Sequence, residues 1–147
     1  MDNLIIIIPI ATMVLGFFLG QYKDRSASKS AFYAQCIVVF YNPFFSLLYR
    51  QKDKFHYQIS SAEPAFKRKA LDLIHNGILY MGSNTQAAAF NVLNRYKDDF
   101  SDDISGEDNF NESFTVLFNT ALKEYINICK KQGWPKPNLE FFSYYDC

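Results

Sequence analysis

Residues 4–20 read LIIIIPIATMVLGFFLG, a run without a charged side chain. Asp2 precedes it, and the cations Lys23, Arg25 and Lys29 follow it. As a helix rising about 1.5 Å per residue it spans roughly 25 Å, the short end of what crosses a hydrocarbon core about 30 Å thick. Its mean hydropathy over a 19-residue window is roughly 2.0, ample for a spanning segment. Pro9 is tolerated there, because its missing N–H falls in the first turns of the helix. A cleaved signal peptide needs a positive amino-terminal region and a small-residue cleavage site. Met1-Asp2-Asn3 carries no cation, and Ser26-Ala27-Ser28 lies beyond several charges. Residues 1–22 therefore read as a membrane anchor. Lys and Arg resist translocation, so the expected site is the inner (cytoplasmic) membrane, with the N-terminus outside and the rest cytoplasmic. Thr12, Gly16 and Gly20 recur every four residues. Small residues at that spacing let two helices approach closely, which makes homo-oligomerisation through the membrane helix one expectation and ordinary helix composition the other.

Residues 23–29 read as a polar linker. A second uncharged stretch follows, Ser30 to Tyr49. Its mean hydropathy is lower, roughly 1.3, and Gln35, Asn42, Pro43 and Ser46 interrupt it. A hairpin through the membrane would carry Arg50, Lys52 and Lys54 outside, against the charge rule. The stretch is therefore expected as two helices divided at Asn42-Pro43, with Pro43 in the first turn of the second. A second transmembrane span is the alternative.

Ser60 and Glu63 have capping-box spacing ahead of a helix expected to reach about Met81, with Leu71, Ile74, Ile78 and Met81 as its buried stripe and Gly82 as its stop. Ser83 and Gln86 repeat the spacing before a shorter helix through Ala89, Val92, Leu93 and Tyr96. A last helix is expected from near Asn109 or Asn111 to about Gln132, burying Phe114, Leu117, Phe118, Ala121, Tyr125, Ile128 and Cys129. Lys130 and Lys131 suit its carboxyl end, and Gly133 closes it. Phe55–Ile59 alternates weakly, as a strand would. The fold class that results is all-α: a single N-terminal transmembrane helix followed by a small cytosolic antiparallel helical bundle over residues 30–137. An aromatic tail occupies residues 138–147.

The net charge is zero, but the charges are sorted. From Tyr22 to Ala70 there are nine basic and three acidic residues; from Asp98 to Glu112 there are seven acidic residues and no basic one. Lys23, Arg25, Lys29, Arg50, Lys52 and Lys54 read as a basic collar facing an anionic leaflet. Asp24, Asp53 and Glu63 break the continuous stripe that nucleic-acid binding requires, so no nucleic acid is expected. The acids Asp98, Asp99, Asp102, Asp103, Glu107 and Asp108 read as a loop that faces a protein partner. With Gly106 at the sixth position, Ser101, Asp103, Ser105 and Glu112 imitate a calcium loop. Ser101 stands where Asp is required and Asp108 where an apolar residue is usual, so no metal is expected.

Cys36, Cys129 and Cys147 lack disulfide or zinc spacing, and Cys36 is expected as a buried thiol. His75 has no acid three or four residues after it, its spacing from Asp72 suits a surface pair worth a few tenths of a kcal/mol, nothing local activates Cys36 or Cys129, and no phosphate-binding or nucleophile-elbow motif occurs, so His56 and His75 read as structural or surface residues. Residue usage rich in Phe, Tyr, Ile, Asn and Lys fits an AT-rich bacterial or phage genome. The expected function is non-enzymatic and without cofactor: a membrane-tethered interaction or regulatory module of a bacterium or phage, of exclusion or immunity type, with the lipid bilayer and a protein as partners. The alternative is a membrane-active effector that oligomerises and permeabilises the bilayer through residues 30–49.

Overall fold

A computed structural model describes residues 21, 23–51, 59–98 and 104–135. The anchor run, its Thr12, Gly16 and Gly20, the collar residues Lys52 and Lys54, and the aromatic tail lie outside the described residues, as do His56 and Cys147. Every regular element among the described residues is helical, and Ile59, the end of the weakly alternating segment, opens a 3₁₀ turn. The elements are α1 (residues 23–36), a π-turn (Ile37–Tyr41), α2 (Asn42–Gln51), a 3₁₀ turn (Ile59–Ser61), α3 (Pro64–Gly77), a second 3₁₀ turn (Ile78–Tyr80), α4 (Ser83–Asp98) and α5 (Ile104–Gln132). Lys23–Arg50 is, among the described residues, the one helix long and apolar enough to cross a membrane by length and composition.

The chain divides into two compact units, Met1–Ala34 and Gln35–Cys147. In the first, residues 23–34 are helical, Lys23, Arg25, Lys29 and Phe32 are exposed, and the Phe32 and Tyr33 rings lie 6.3 Å apart.

In the second unit the helical backbone runs through Asn42-Pro43 without a break. In an α-helix a proline ring collides with the carbonyl four residues back and supplies no N–H. Here the strain falls at a wide turn: the Asn42 N–H donates to the Ile37 carbonyl, five residues back, immediately before Pro43. Such π-turns are a recognised way of accommodating an irregular residue in a helix. Ile37, Phe40 and Tyr41 are buried and Val38 and Val39 are exposed, the three- and four-residue spacing of one helix face, which Phe44, Phe45 and Leu48 continue.

The core is aromatic. Phe40, Tyr41, Phe44, Phe110, Leu117 and Phe118 are almost wholly enclosed. Tyr125 of α5 stacks on both Tyr41 and Phe45, with centroids 5.7 Å away in each case, and its hydroxyl donates to Asn42 Oδ1 at 2.8 Å. Phe45 also meets Phe118 edge-on at 5.6 Å, and Phe44 meets Phe114 at 6.0 Å. Aromatic pairs of this kind contribute about 0.5–1.5 kcal/mol each beyond their burial. Thr85 lies against Glu124 and Tyr96 against Phe110, so α4 and α5 run antiparallel.

The expected apolar faces hold: Leu71, Ile74 and Met81, then Ala89 and Val92, then Phe114, Leu117, Phe118, Ala121, Ile128 and Cys129 are buried, and Ile78, Leu93, Tyr96 and Tyr125 are half-buried. The helix ends differ. α3 starts at Pro64, the favoured first position for proline, with Glu63 as an N-cap that makes no side-chain bond. Ser60 instead joins α5: its N–H donates to Asn111 Oδ1 and its Oγ accepts from Asn111 Nδ2, each at 2.9 Å. Gly82 does not stop that helix, which ends as α3 at Gly77 and tightens into the 3₁₀ turn. Gln86 does not close a capping box with Ser83; its Nε2 reaches back to the carbonyls of Ile78 and Met81 at 3.0 Å. α5 begins at Ile104 rather than near Asn109 or Asn111, so much of the acidic segment is helix. Acids suit the first turns of a helix, where the dipole is positive. The same helix removes the calcium-loop geometry, because Ser105, Gly106 and Glu112 are all in it. At the far end Gly133 takes φ 66°, its N–H donates to the Lys130 carbonyl and the Trp134 N–H to the Cys129 carbonyl. That is the Schellman closure expected of a glycine at this place.

Gly77 lies under Phe40: a Cβ there would stand 2.6 Å from the ring. Gly77→Ala is expected to destabilise the protein by roughly 1–3 kcal/mol despite the better helix propensity of alanine, since the ring has no free space to enter. Urea unfolding followed by circular dichroism checks it.

Candidate functional site

The polar groups enclosed in the second unit converge where the π-turn, the start of α4 and the middle of α5 meet. Thr85, in the first turn of α4, is fully buried, and its Oγ1 donates to Glu124 Oε2 at 2.5 Å. Glu124 is half-buried and reaches the amino-terminal end of α4. The Gln86 N–H donates to the Gly82 carbonyl at 2.8 Å, so α4 starts directly on Gly82. A Cβ on Gly82 would collide with the Glu124 carboxylate, so glycine is what admits the carboxylate to this position. A negative charge there opposes the positive end of the helix dipole. Glu124 thus brings a carboxylate from another helix to the start of α4, where it accepts the Thr85 hydroxyl.

Tyr41 completes the cluster. Its hydroxyl is buried and makes no well-formed hydrogen bond, although the Glu124 carboxylate, the Thr85 hydroxyl and the Gly82 backbone all act on it. Burial, and then the neighbouring carboxylate, push its ionisation well above the ordinary tyrosine range. Burial likewise pushes up the Cys36 thiol, with the Glu124 charge adding to it, and the Cys129 thiol. Both cysteines are free and buried. A thiol kept protonated is a poor nucleophile and a poor metal ligand. In this cluster the Thr85 hydroxyl and the Glu124 carboxylate fasten α4 to α5, with the Tyr41 hydroxyl enclosed beside them.

The expected site residues fall elsewhere. Lys23, Arg25 and Lys29 are exposed on α1, and Arg50 is exposed near the end of α2. Asp98 is the last residue of α4, Glu107 lies in the first turns of α5, and Asp108 is exposed on α5. The Tyr96–Phe110 contact, with centroids 5.8 Å apart, brings these ends of the two helices together. Asp99, Asp102 and Asp103 lie outside the described residues. His75 is exposed on α3. No group of three or more His, Cys, Asp or Glu side chains among the described residues is arranged to hold a metal ion. Sequence reasoning missed Glu124, Thr85, Gly82 and Tyr41 as a cluster. One signal was present: Glu124 follows Leu117 by two turns and precedes Ile128 by one, which puts an acid on the apolar side of α5. Comparison with protein-family models, curated proteins and solved structures finds no match for this chain.

Thr85→Val keeps the shape and removes the donor to Glu124. It is expected to cost roughly 1–3 kcal/mol, the range for leaving an enclosed polar group unsatisfied, and Gly82→Ala to cost at least as much, both read from chemical denaturation at pH 7. Tyr41 generates a pH effect of definite sign. The folded protein holds the phenolic proton more tightly than the unfolded chain, whose tyrosines ionise near pH 10. The stability tied to that proton is therefore complete below about pH 10 and is lost as pH rises beyond it. Tyr41→Phe is expected to remain folded at pH 7 and to lose less stability than the parent between about pH 10 and 12, measured by thermal melts across that range.

Proposed function

We propose that the chain is a membrane-tethered, non-enzymatic interaction or regulatory module of a bacterium or phage, of exclusion or immunity type. Residues 4–20 hold it in the inner membrane with the N-terminus outside, and the helices packed around the aromatic core form a small antiparallel bundle in the cytoplasm. The observation that carries this reading is the uncharged run bordered on one side by Lys23, Arg25 and Lys29, all three exposed. Lys and Arg placed next to an anionic leaflet each contribute about 1 kcal/mol of attraction. The protein partner is met by the acidic end of the α4–α5 pair, around Asp98, Glu107 and Asp108. Self-association through Thr12, Gly16 and Gly20 adds a second copy within the membrane.

The second reading, a membrane-active effector acting through residues 30–49, has the length and hydropathy of Lys23–Arg50 in its favour. Against it, Phe40, Tyr41, Phe44 and Leu48 belong to the interior of the helical unit. Releasing them to lipid would dismantle that core.

Topology is tested with a cysteine placed at exposed Asp72 on α3, in a Cys147→Ser background where Cys36 and Cys129 are buried. A membrane-impermeant maleimide is expected to label Asp72→Cys only after the cells are permeabilised. Labelling of intact cells would place the domain outside and reject the arrangement.

A further inference from the structure

Within the second unit, the helix that carries the π-turn lies antiparallel to α5: Phe44 meets Phe114, Phe45 meets Phe118, and Tyr41 and Asn42 meet Tyr125. Val38 comes one turn before Asn42, on the same side of its helix, and is 67 % exposed. In the antiparallel order it stands level with the turn of α5 that follows Tyr125. α5 ends at Gln132, about 10 Å beyond Tyr125 at 1.5 Å per residue. An exposed valine therefore flanks the carboxyl end of α5. Its exposed neighbours Gln35 and Val39 are uncharged as well.

The chain does not run straight on from α5 into solvent. Gly133 reverses it, the Trp134 N–H returns to the Cys129 carbonyl, and the Trp134 side chain is half-buried. Residues 136–147 follow, with Leu139, Phe141, Phe142, Tyr144 and Tyr145 among them; from Asn138 to Tyr145 the one charge is Glu140. Fully extended, this stretch reaches about 40 Å, well past the turn of helix that separates Gln132 from the level of Val38.

We infer that the aromatic tail folds back over the exposed Val38 side of the π-turn, beside the carboxyl end of α5. It starts next to that surface and is long enough to cover it. Its apolar rings and the uncharged valine side both gain by leaving water. Lys130 and Lys131, exposed in the last turn of α5, complement the tail's Glu140 and Asp146. Because the tail is joined to the surface it covers, its effective concentration there exceeds that of a separate partner of like composition. Both sides of the contact belong to the second unit, so the inference stands apart from the tether proposed above.

Native Cys147 is the probe, since it belongs to the tail while Cys36 and Cys129 are buried. In the full-length chain in detergent, Val38→Cys is expected to form an intramolecular disulfide with Cys147 under diamide at least fivefold faster than Asn127→Cys. Asn127 is exposed and close to the end of α5, but at 100° per residue it points about 200° away from Tyr125, which stacks on Phe45 of α2. The linked peptides are followed by mass spectrometry after digestion. Phe141→Ser with Phe142→Ser is expected to lower the Val38→Cys rate to that of Asn127→Cys and to leave the latter unchanged. Should Val38→Cys lose its helical circular dichroism, Gln35→Cys, exposed one turn earlier, takes its place. Equal rates at the two positions overturn the inference. So does a Val38→Cys product linked between two chains, which means that a second copy covers this side. A rate indifferent to the loss of Phe141 and Phe142 overturns it too, because the disulfide then reports reach alone.

Discussion

The apolar stripe Ile37, Phe40, Tyr41, Phe44, Phe45 and Leu48 decides which side of the uncharged helix enters the core. A regular helix through Ile37–Phe45 would bring a proline ring against the carbonyl four residues earlier. The π-turn takes up one extra residue at that place, and the helix then resumes with Asn42. From the stripe, Phe40 packs on Gly77, Tyr41 and Phe45 enclose the Tyr125 ring, and Phe44 reaches Phe114.

The same helix face also reaches the polar cluster. Tyr41 is the last residue of the π-turn, and its hydroxyl ends beside Glu124, Thr85 and Gly82. An enclosed carboxylate is expensive unless something favours its charge. Here Thr85 donates to it and the amino-terminal end of α4 opposes it. The Thr85–Glu124 hydrogen bond therefore joins α4 to α5, and the Tyr41 hydroxyl of the π-turn is enclosed beside it. The cluster also accounts for the raised ionisation of Tyr41 and Cys36, both of which feel burial first and the Glu124 charge second. These perturbed groups are by-products of how the helices are fastened, and they give the domain a pH-dependent stability at the alkaline end.

The functional reading divides by kind of argument. The proposed place at a membrane rests on residues 4–20 and the sign of the charges after them. The fold supplies an exposed Asp108 near the meeting ends of α4 and α5, and exposed Val38 and Val39.

Periodicity alone was enough for the helical class, the buried faces of α3, α4 and α5, and the glycine closure at Gly133, because each is a local pattern repeated over several turns. Element ends were less legible. The acids before Asn109 suggested a loop, yet acids are also what the start of a helix attracts. Ser60 and Gln86 had the spacing of caps, but Ser60 bonds to Asn111 and Gln86 to the carbonyls of Ile78 and Met81. Partners across 51 positions of chain leave no mark in a local window. Glu124 is the sharpest case: an acid on an apolar side of α5 reads as a blemish until Gly82, Thr85 and Tyr41 are brought to it from three other parts of the chain. Only the packing of the helices could do that, since whether a buried charge is tolerated depends on which donors and dipoles surround it, and those come from residues distant in sequence.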